Sequence, residues 1–318
     1  MGRFKNILVA ASPGRLETTT FRDAAKLAET DDAQLTVMDV IAPLPAWRKK
    51  MTLEGQVIDV EAALLRDREE LLQRLVKTKR DGPNTDVLVK VGEPFLEVIR
   101  QVMANGHDLV MVGEPRSESG PAGQLSSGVM HLLRKCPVPV WVMRPSRARK
   151  LRILALVDPD PDDPVRDGLN DLVLELATSM TRREHAELHV GHAWTLTGET
   201  TLRSSPFVGI SGEIVDVMVE TVEATSREHL AALMERHQVA DIGGSDHMVA
   251  GDPRVVLPRM ASQLNIGLIV MGTVARTGLS GLIMGNTAED ILRSVECSVL
   301  AVKPEGFVTP VKPARHHT

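Results

Sequence analysis

The chain has 318 residues, 43% of them apolar and 25% charged, which is ample for two domains and excludes a disordered or collagen-like polymer. Aromatic residues are only 3%, with no Tyr, which speaks against a nucleic-acid platform of stacked rings; two Cys cannot build a disulfide framework. The net charge of −5 divides into +4 for residues 1–150 and −9 for residues 151–318, and the basic excess of the first half is too scattered for a nucleic-acid footprint.

From the N-terminus the chain passes directly into an apolar strand pattern without a leader, and no window of about 18 apolar residues would span a membrane, so a cytoplasmic protein is expected. Strands are predicted near 5–11, 34–40, 86–91, 108–113 and 138–143, with helices near 18–30, 58–80, 93–105 and 125–135. Residues 43–56, which contain Arg48-Lys49-Lys50, read as a lid or contact loop. After a basic, Pro-containing boundary at Pro145–Lys150, the same order returns. Strands are expected near 151–157, 187–193, 246–250, 267–272 and 298–302, and helices near 163–182, 211–237, 253–264 and 284–296. Residues 195–209 read as a second long loop, and Thr309–Thr318 as a loose tail. The domains are thus 1–146 and 151–308.

The two halves are one pattern used twice. Gly92-Glu93-Pro94 and Gly251-Asp252-Pro253 are offset by 159 residues, as are Gly113 and Gly272. In each half the Pro stands where a helix begins, its dihedral pre-set for the first turn. The strands, such as Ile7–Ala10 and Leu268–Met271, are apolar without alternation, as strands buried on both faces are. Strand–helix alternation then implies right-handed crossovers and an open parallel sheet covered by helices.

In such a sheet ligands bind beyond the carboxyl ends of the strands, where the strand order reverses. The first strand of the second half ends in Val157-Asp158-Pro159-Asp160. The fourth ends at Gly272 and leads through Arg276 to Gly285-Asn286-Thr287 at the start of the last helix. Glycines admit a close ligand, a helix N-terminus offers free N–H groups, and Arg276 adds a cation: together, a phosphate cradle. Asp158 is placed for a ribose hydroxyl or a hydrated metal ion, or simply as a cap for the following helix. His185, His189, His192 and His247 fall on or near adjacent strands, but His189 and His192 alternate in face, and no metal-ligand spacing is present, so they read as structural. Cys136 and Cys297 occupy equivalent turns before the last strands and read as core. No Walker A step, nucleophile elbow or kinase signature occurs, and no base–nucleophile pair can be named.

The run from Gly272 through Ala275 to Gly285-Asn286-Thr287 resembles the glycine motif of the universal stress protein superfamily. The strand ending in Asp158 and the segment His189–Trp194 look like that family's first and second strands. The resemblance covers nearly the whole chain as two tandem domains. It implies an α/β fold with five parallel strands in order 3-2-1-4-5 in each domain. The two domains would be paired through their last strands as an intramolecular pseudo-dimer, with a homodimer as a further association. It also implies ATP, with Mg²⁺, bound in the second domain by Asp158, Ala193 (whose backbone would meet adenine), Gly272, Arg276, Gly285, Asn286 and Thr287. Ala275 and Asn286 depart from the motif. In the first domain Ser12, Gly113, Ser126 and Ser127 hold the equivalent positions and the motif decays, so that domain is expected to have lost the site; Ser126-Ser127 reads as a helix cap. The implied function is a regulatory stress-response protein with a nucleotide and an unknown protein partner, not an enzyme. The alternatives are a nucleotide-independent scaffold, a carrier of a small or lipid ligand, or an adenine-nucleotide hydrolase.

Overall fold

The structure, a computed structural model, describes residues 3–11, 18–53, 56–77, 83–114, 125–145, 150–205, 209–274 and 284–313. These fall into two compact units. One comprises the described residues up to 145 together with 308–313; the other comprises 150–307.

In the first unit the order is β1 (Asn6–Ala10), α1 (Thr18–Asp31), β2 (Gln34–Ile41), α2 (Ala46–Lys49), β3 (Lys50–Leu53), β4 (Gln56–Asp59), α3 (Val60–Lys77), β5 (Thr85–Val91), α4 (Pro94–Asn105), β6 (Leu109–Gly113), α5 (Ser127–Lys135) and β7 (Val140–Met143). Its parallel sheet runs β5-β2-β1-β6-β7. Skipping the β3–β4 hairpin, that is the expected order 3-2-1-4-5. Ile7, Leu8, Leu109 and Met111 are fully buried at its centre, each worth about 1.5–3 kcal/mol of apolar burial. The expected loop at 43–56 is instead a short helix and the first strand of an antiparallel hairpin, with Met51 opposite Ile58. Part of the expected loose tail also folds back: Val311 is buried, and Arg100 Nε donates to the Lys312 carbonyl at 3.4 Å. Residues 314–318 lie outside the described residues.

The second unit repeats the plan: β8 (Arg152–Leu156), α6 (Pro164–Glu184), β9 (Glu187–Trp194), α7 (Glu199–Ser204), α8 (Gly212–Arg236), a 3₁₀ turn at Val239–Ile242, β10 (Ser245–Ala250), α9 (Pro253–Gln263), β11 (Leu268–Gly272), α10 (Asn286–Ser294) and β12 (Ser298–Val302). Its sheet runs β10-β9-β8-β11-β12, again 3-2-1-4-5, with each described pair parallel. The 195–209 stretch, expected as loop, contains α7. Both Pro-opened helices form as read, α4 from Pro94 and α9 from Pro253, and the Asp252 side chain caps α9 at the Arg254 N–H. The 159-residue offset recurs in the hydrogen bonds. Glu114 N–H donates to Met143 O at 2.9 Å, and Thr273 N–H to Val302 O at 3.1 Å. Cys136 is buried as expected, whereas Cys297 is only half-buried. Among the described residues no helix is long and apolar enough to cross a membrane.

Candidate functional site

β8 and β11 are neighbours, and the strand order reverses at that point: the chain leaves β8 toward β9 on one side and β11 toward β12 on the other. A cavity of about 520 Å³ opens there, beyond their carboxyl ends. Asp158, Ala193, Gly272, Gly285, Asn286 and Thr287 all line it. Residues from four separate strand and helix ends therefore meet as the motif spacing required. Arg276 and Ala275 in the second half, and Ser12 in the first, lie outside the described residues.

The cavity floor is apolar, made by Leu156, Val173, Leu257, Met271 and Ile291. Its polar groups stand at the mouth. α10 begins at Asn286 with Gly285 at its N-cap, and among the described residues no side chain caps it. The first-turn N–H groups thus face the cavity with the partial positive charge of a helix N-terminus. Gly285 N–H is held by the Thr273 carbonyl at 3.1 Å, which fixes the helix start against the end of β11. Glu289, the acid of that first turn, is drawn away to Arg293 at 2.7 Å.

Asp158 does not cap α6; Asp163 does, accepting from Val165 N–H and Arg166 N–H at 3.1 Å each. Arg166 is the residue the sequence reading missed here. It turns back from the first turn of α6, lies 3.8 Å from Asp158 and 2.6 Å from Asp160, and itself lines the cavity. It also places a guanidinium at the mouth. A second missed residue, Asn170, is buried on α6. Its Oδ1 accepts from Asp158 N–H and its Nδ2 donates to Asp158 O, both at 3.0 Å, so one amide clamps both backbone groups of the acid. Gly272 has a packing reason as well as a ligand reason: a Cβ there would lie 2.5 Å from Leu169 Cδ2 on α6. Behind the site Lys303, buried at the end of β12, donates from Nζ to Thr273 Oγ1 and lies over the Phe307 ring.

The equivalent positions of the first unit are arranged differently. Gly113 ends β6, as Gly272 ends β11, and Ser126 stands 159 residues before Gly285. Ser126 caps α5 as read, its Oγ accepting from Val129 N–H at 3.4 Å, and Ser127 is the exposed first residue of that helix. Glu114, the counterpart of Thr273, then closes the helix start. Its buried carboxylate accepts from Ser126 N–H at 2.7 Å and from Ser126 Oγ at 3.1 Å. A protein carboxylate thus takes the place an exogenous anion would need.

The histidines do not gather. His192 Nδ1 lies 3.2 Å from Val157 O, while His185 ends α6 in the left-handed region. His189 Nδ1 and His247 Nε2 are 2.9 Å apart on the other face of the sheet. Among the described residues no three His, Cys, Asp or Glu side chains are placed to hold a metal ion. Burial, and then the nearby His247, hold the His189 imidazole below its ordinary 6.5. Between that value and its lowered folded one, the unfolded chain takes up a proton that the folded chain refuses. Stability should therefore fall as the pH drops below about 6.5. Thermal melts of His189→Gln between about pH 7 and about pH 5 should show a shallower acid loss than the parent; an identical slope would remove His189 from the account.

The Universal stress protein family matches twice, over residues 3–144 and 152–303. The chain belongs to the universal stress protein family. It is similar to universal stress protein E of Escherichia coli strain K12, 31% identical over 226 residues, 69% of this chain and 68% of that one. It is also similar to universal stress protein E of Salmonella typhi, 26% identical with 98% of each chain covered. Among solved structures, a putative universal stress protein from Pseudomonas aeruginosa UCBPP-PA14 superposes with a TM-score of 0.69 at 25% identity, covering 96% of this chain and 95% of that one. One from Archaeoglobus fulgidus shares the fold with a TM-score of 0.59 at 18% identity. Tandem universal stress protein domains, each an open parallel α/β sheet, are thus the architecture of this chain.

Proposed function

We propose that this universal stress protein is a regulatory binding protein whose second unit takes ATP or a related adenine nucleotide and whose first unit takes none. The observation that carries this reading is the contrast between two equivalent helix starts. That of α10 has no side-chain cap among the described residues and faces a cavity within the ligand-pocket range of about 300–1,000 Å³. That of α5 is filled by Glu114 and Ser126. In the second unit the phosphates would meet the N–H groups at Asn286 and Thr287, with Arg166 at the mouth. The base would lie against Ala193 and the apolar floor, and Asp158 would meet the ribose. The donor set suits the ligand: N–H groups and a cation for the anion, an apolar wall for the ring. Mg²⁺, where present, would have the Asp158 and Asp160 carboxylates as its protein donors, in the manner of an ion held by one or two carboxylates plus phosphates. Arg166 already engages both acids and competes for them.

Isothermal titration of the full chain with ATP in the presence of Mg²⁺ tests this reading. One site per chain is expected, with ATP bound about tenfold or more tightly than adenosine because the helix start reads phosphate. The absence of heat, or equal affinity for adenosine, would overturn it. Substitution at Gly272 is a poor control, since the added Cβ strikes Leu169 whether or not a ligand binds.

A further inference from the structure

The sheet of the second unit ends at β10, and a separate groove of about 500 Å³ lies beside it, between that edge strand, the end of α8 and the 3₁₀ turn. Its formation follows from the chain. Gly243 adopts φ +69°, and a Cβ on Gly244 would strike Val239 Cγ1 at 2.3 Å, so this Gly-Gly turn folds the 3₁₀ segment tightly against the start of β10. Side chains alternate along β10. His247 pairs with His189 on one face, whereas Asp246 and Met248 turn to the other and line the groove.

The backbone phase is set by the ladder. Gly251 N–H donates to Trp194 O at 2.9 Å, so the polar groups of Ser245, His247 and Val249 turn toward β9. Those of Asp246, Met248 and Ala250 therefore turn outward, off the edge of the sheet. Leu230, Met234 and Val239 supply an apolar wall. The rim is acidic: Glu235, Asp241 and Asp246 form no ion pair among the described residues, and the one rim cation, Arg227, is already engaged by Glu223 at 2.8 Å. Of the protections an edge strand can carry, β10 has no Lys or Pro, only the acid Asp246.

The geometry points to β10 as a docking edge for an extended peptide segment whose groove-facing side chains, every second residue along it, include both apolar and basic ones. The segment adds a strand to the outward N–H and C=O groups of Asp246, Met248 and Ala250. Its apolar side chains enter the groove against Met234 and Met248, and its lysines or arginines meet Glu235, Asp241 and Asp246. Strand addition of this kind takes affinity from the main chain and specificity from pockets for alternate side chains. A second copy is the poorer occupant. Edge-to-edge pairing of two copies would bring both sets of unpaired carboxylates together, and like charges at an interface disfavour the wrong partner.

The test uses the full chain and a fluorescein-labelled peptide of repeated valine-threonine-lysine-threonine, which sets valine and lysine on one face, titrated by anisotropy at physiological salt. Binding is expected, with none for the same peptide carrying glutamate in place of lysine. Asp241→Lys with Asp246→Lys should weaken it about tenfold or more. Met248→Pro should do the same, because it removes an outward N–H without touching the ladder to β9. Circular dichroism should show both variants folded, and the charge reversals, lying on exposed residues, keep the test decisive if the Pro variant does not fold. No binding of the lysine peptide, equal binding of the glutamate peptide, or affinity unchanged in the charge-reversed chain would overturn the proposal. So would a concentration-dependent dimer that Met248→Pro abolishes, since the edge would then serve a second copy.

Discussion

Asn170→Ala is expected to destabilise the second unit by about 2–6 kcal/mol and to weaken nucleotide binding with it. The wild-type amide satisfies the N–H and the C=O of Asp158 at 3.0 Å each. Ala leaves both groups without that partner, at about 1–3 kcal/mol apiece where water cannot replace the bond. Asn170 itself is only 4% exposed, so relief by water is restricted. The chain carries three Trp and no Tyr, which makes the measurement specific: Trp194 lies in the second unit, and Trp47 and Trp141 in the first. With both first-unit Trp replaced by Phe, the Trp194 emission in a urea melt reports the second unit alone. This matters because a tandem chain need not unfold in one step. A midpoint unchanged from the Asn170 parent would show that the clamp contributes nothing. A lowered midpoint with unchanged nucleotide affinity would show that Asp158 holds its position without it.

The repeated fold was legible because it rests on local pattern and on duplication. Short apolar runs such as Leu268–Met271, alternating with helical patterns, read as strands buried on both faces, and the 159-residue offset aligns the two sheets. The site was half legible. Asp158, Ala193, Gly272, Gly285, Asn286 and Thr287 could be gathered because each stands at a strand end or a helix start, where an α/β sheet presents its ligand groups. Arg166, Asn170, Glu114 and Lys303 were missed because their roles are contacts across the fold. Asn170 did leave a signal. It shares the buried face of α6 with Val173, Leu174, Ala177 and Met180, and a polar residue in that row needs a buried partner. Glu114 left a fainter one, a carboxylate directly after the apolar run that ends in Gly113. The β3–β4 hairpin was lost in an apparent loop because its strands are four residues each and their described side chains stand exposed, so alternation has almost no length in which to appear.

The clearest expected change in ligand binding comes from carrying the first unit's closure into the second. Thr273 and Gly285 stand where Glu114 and Ser126 stand, and the same backbone bond, to Val302 O or Met143 O, fixes the first member of each pair. Thr273→Glu therefore sets a carboxylate beside the open start of α10. The position is fully buried, but Lys303 already directs its ammonium at residue 273, so the new charge arrives with a cation in place. A buried acid with such a partner avoids the penalty of an unpaired one. The carboxylate competes with phosphate for the N–H groups of the first turn of α10, and like charges forced together cost several kcal/mol. Nucleotide affinity should fall about a hundredfold or more, while Thr273→Gln, equal in size and uncharged, should stay within about tenfold of the parent. Titration of all three chains with ATP, alongside Trp194 melts to confirm folding, separates the outcomes. Full affinity in Thr273→Glu would mean that phosphate does not sit at this helix start. Equal loss in Thr273→Gln and Thr273→Glu would mean that the Lys303–Thr273 contact, and not anion exclusion, governs the site.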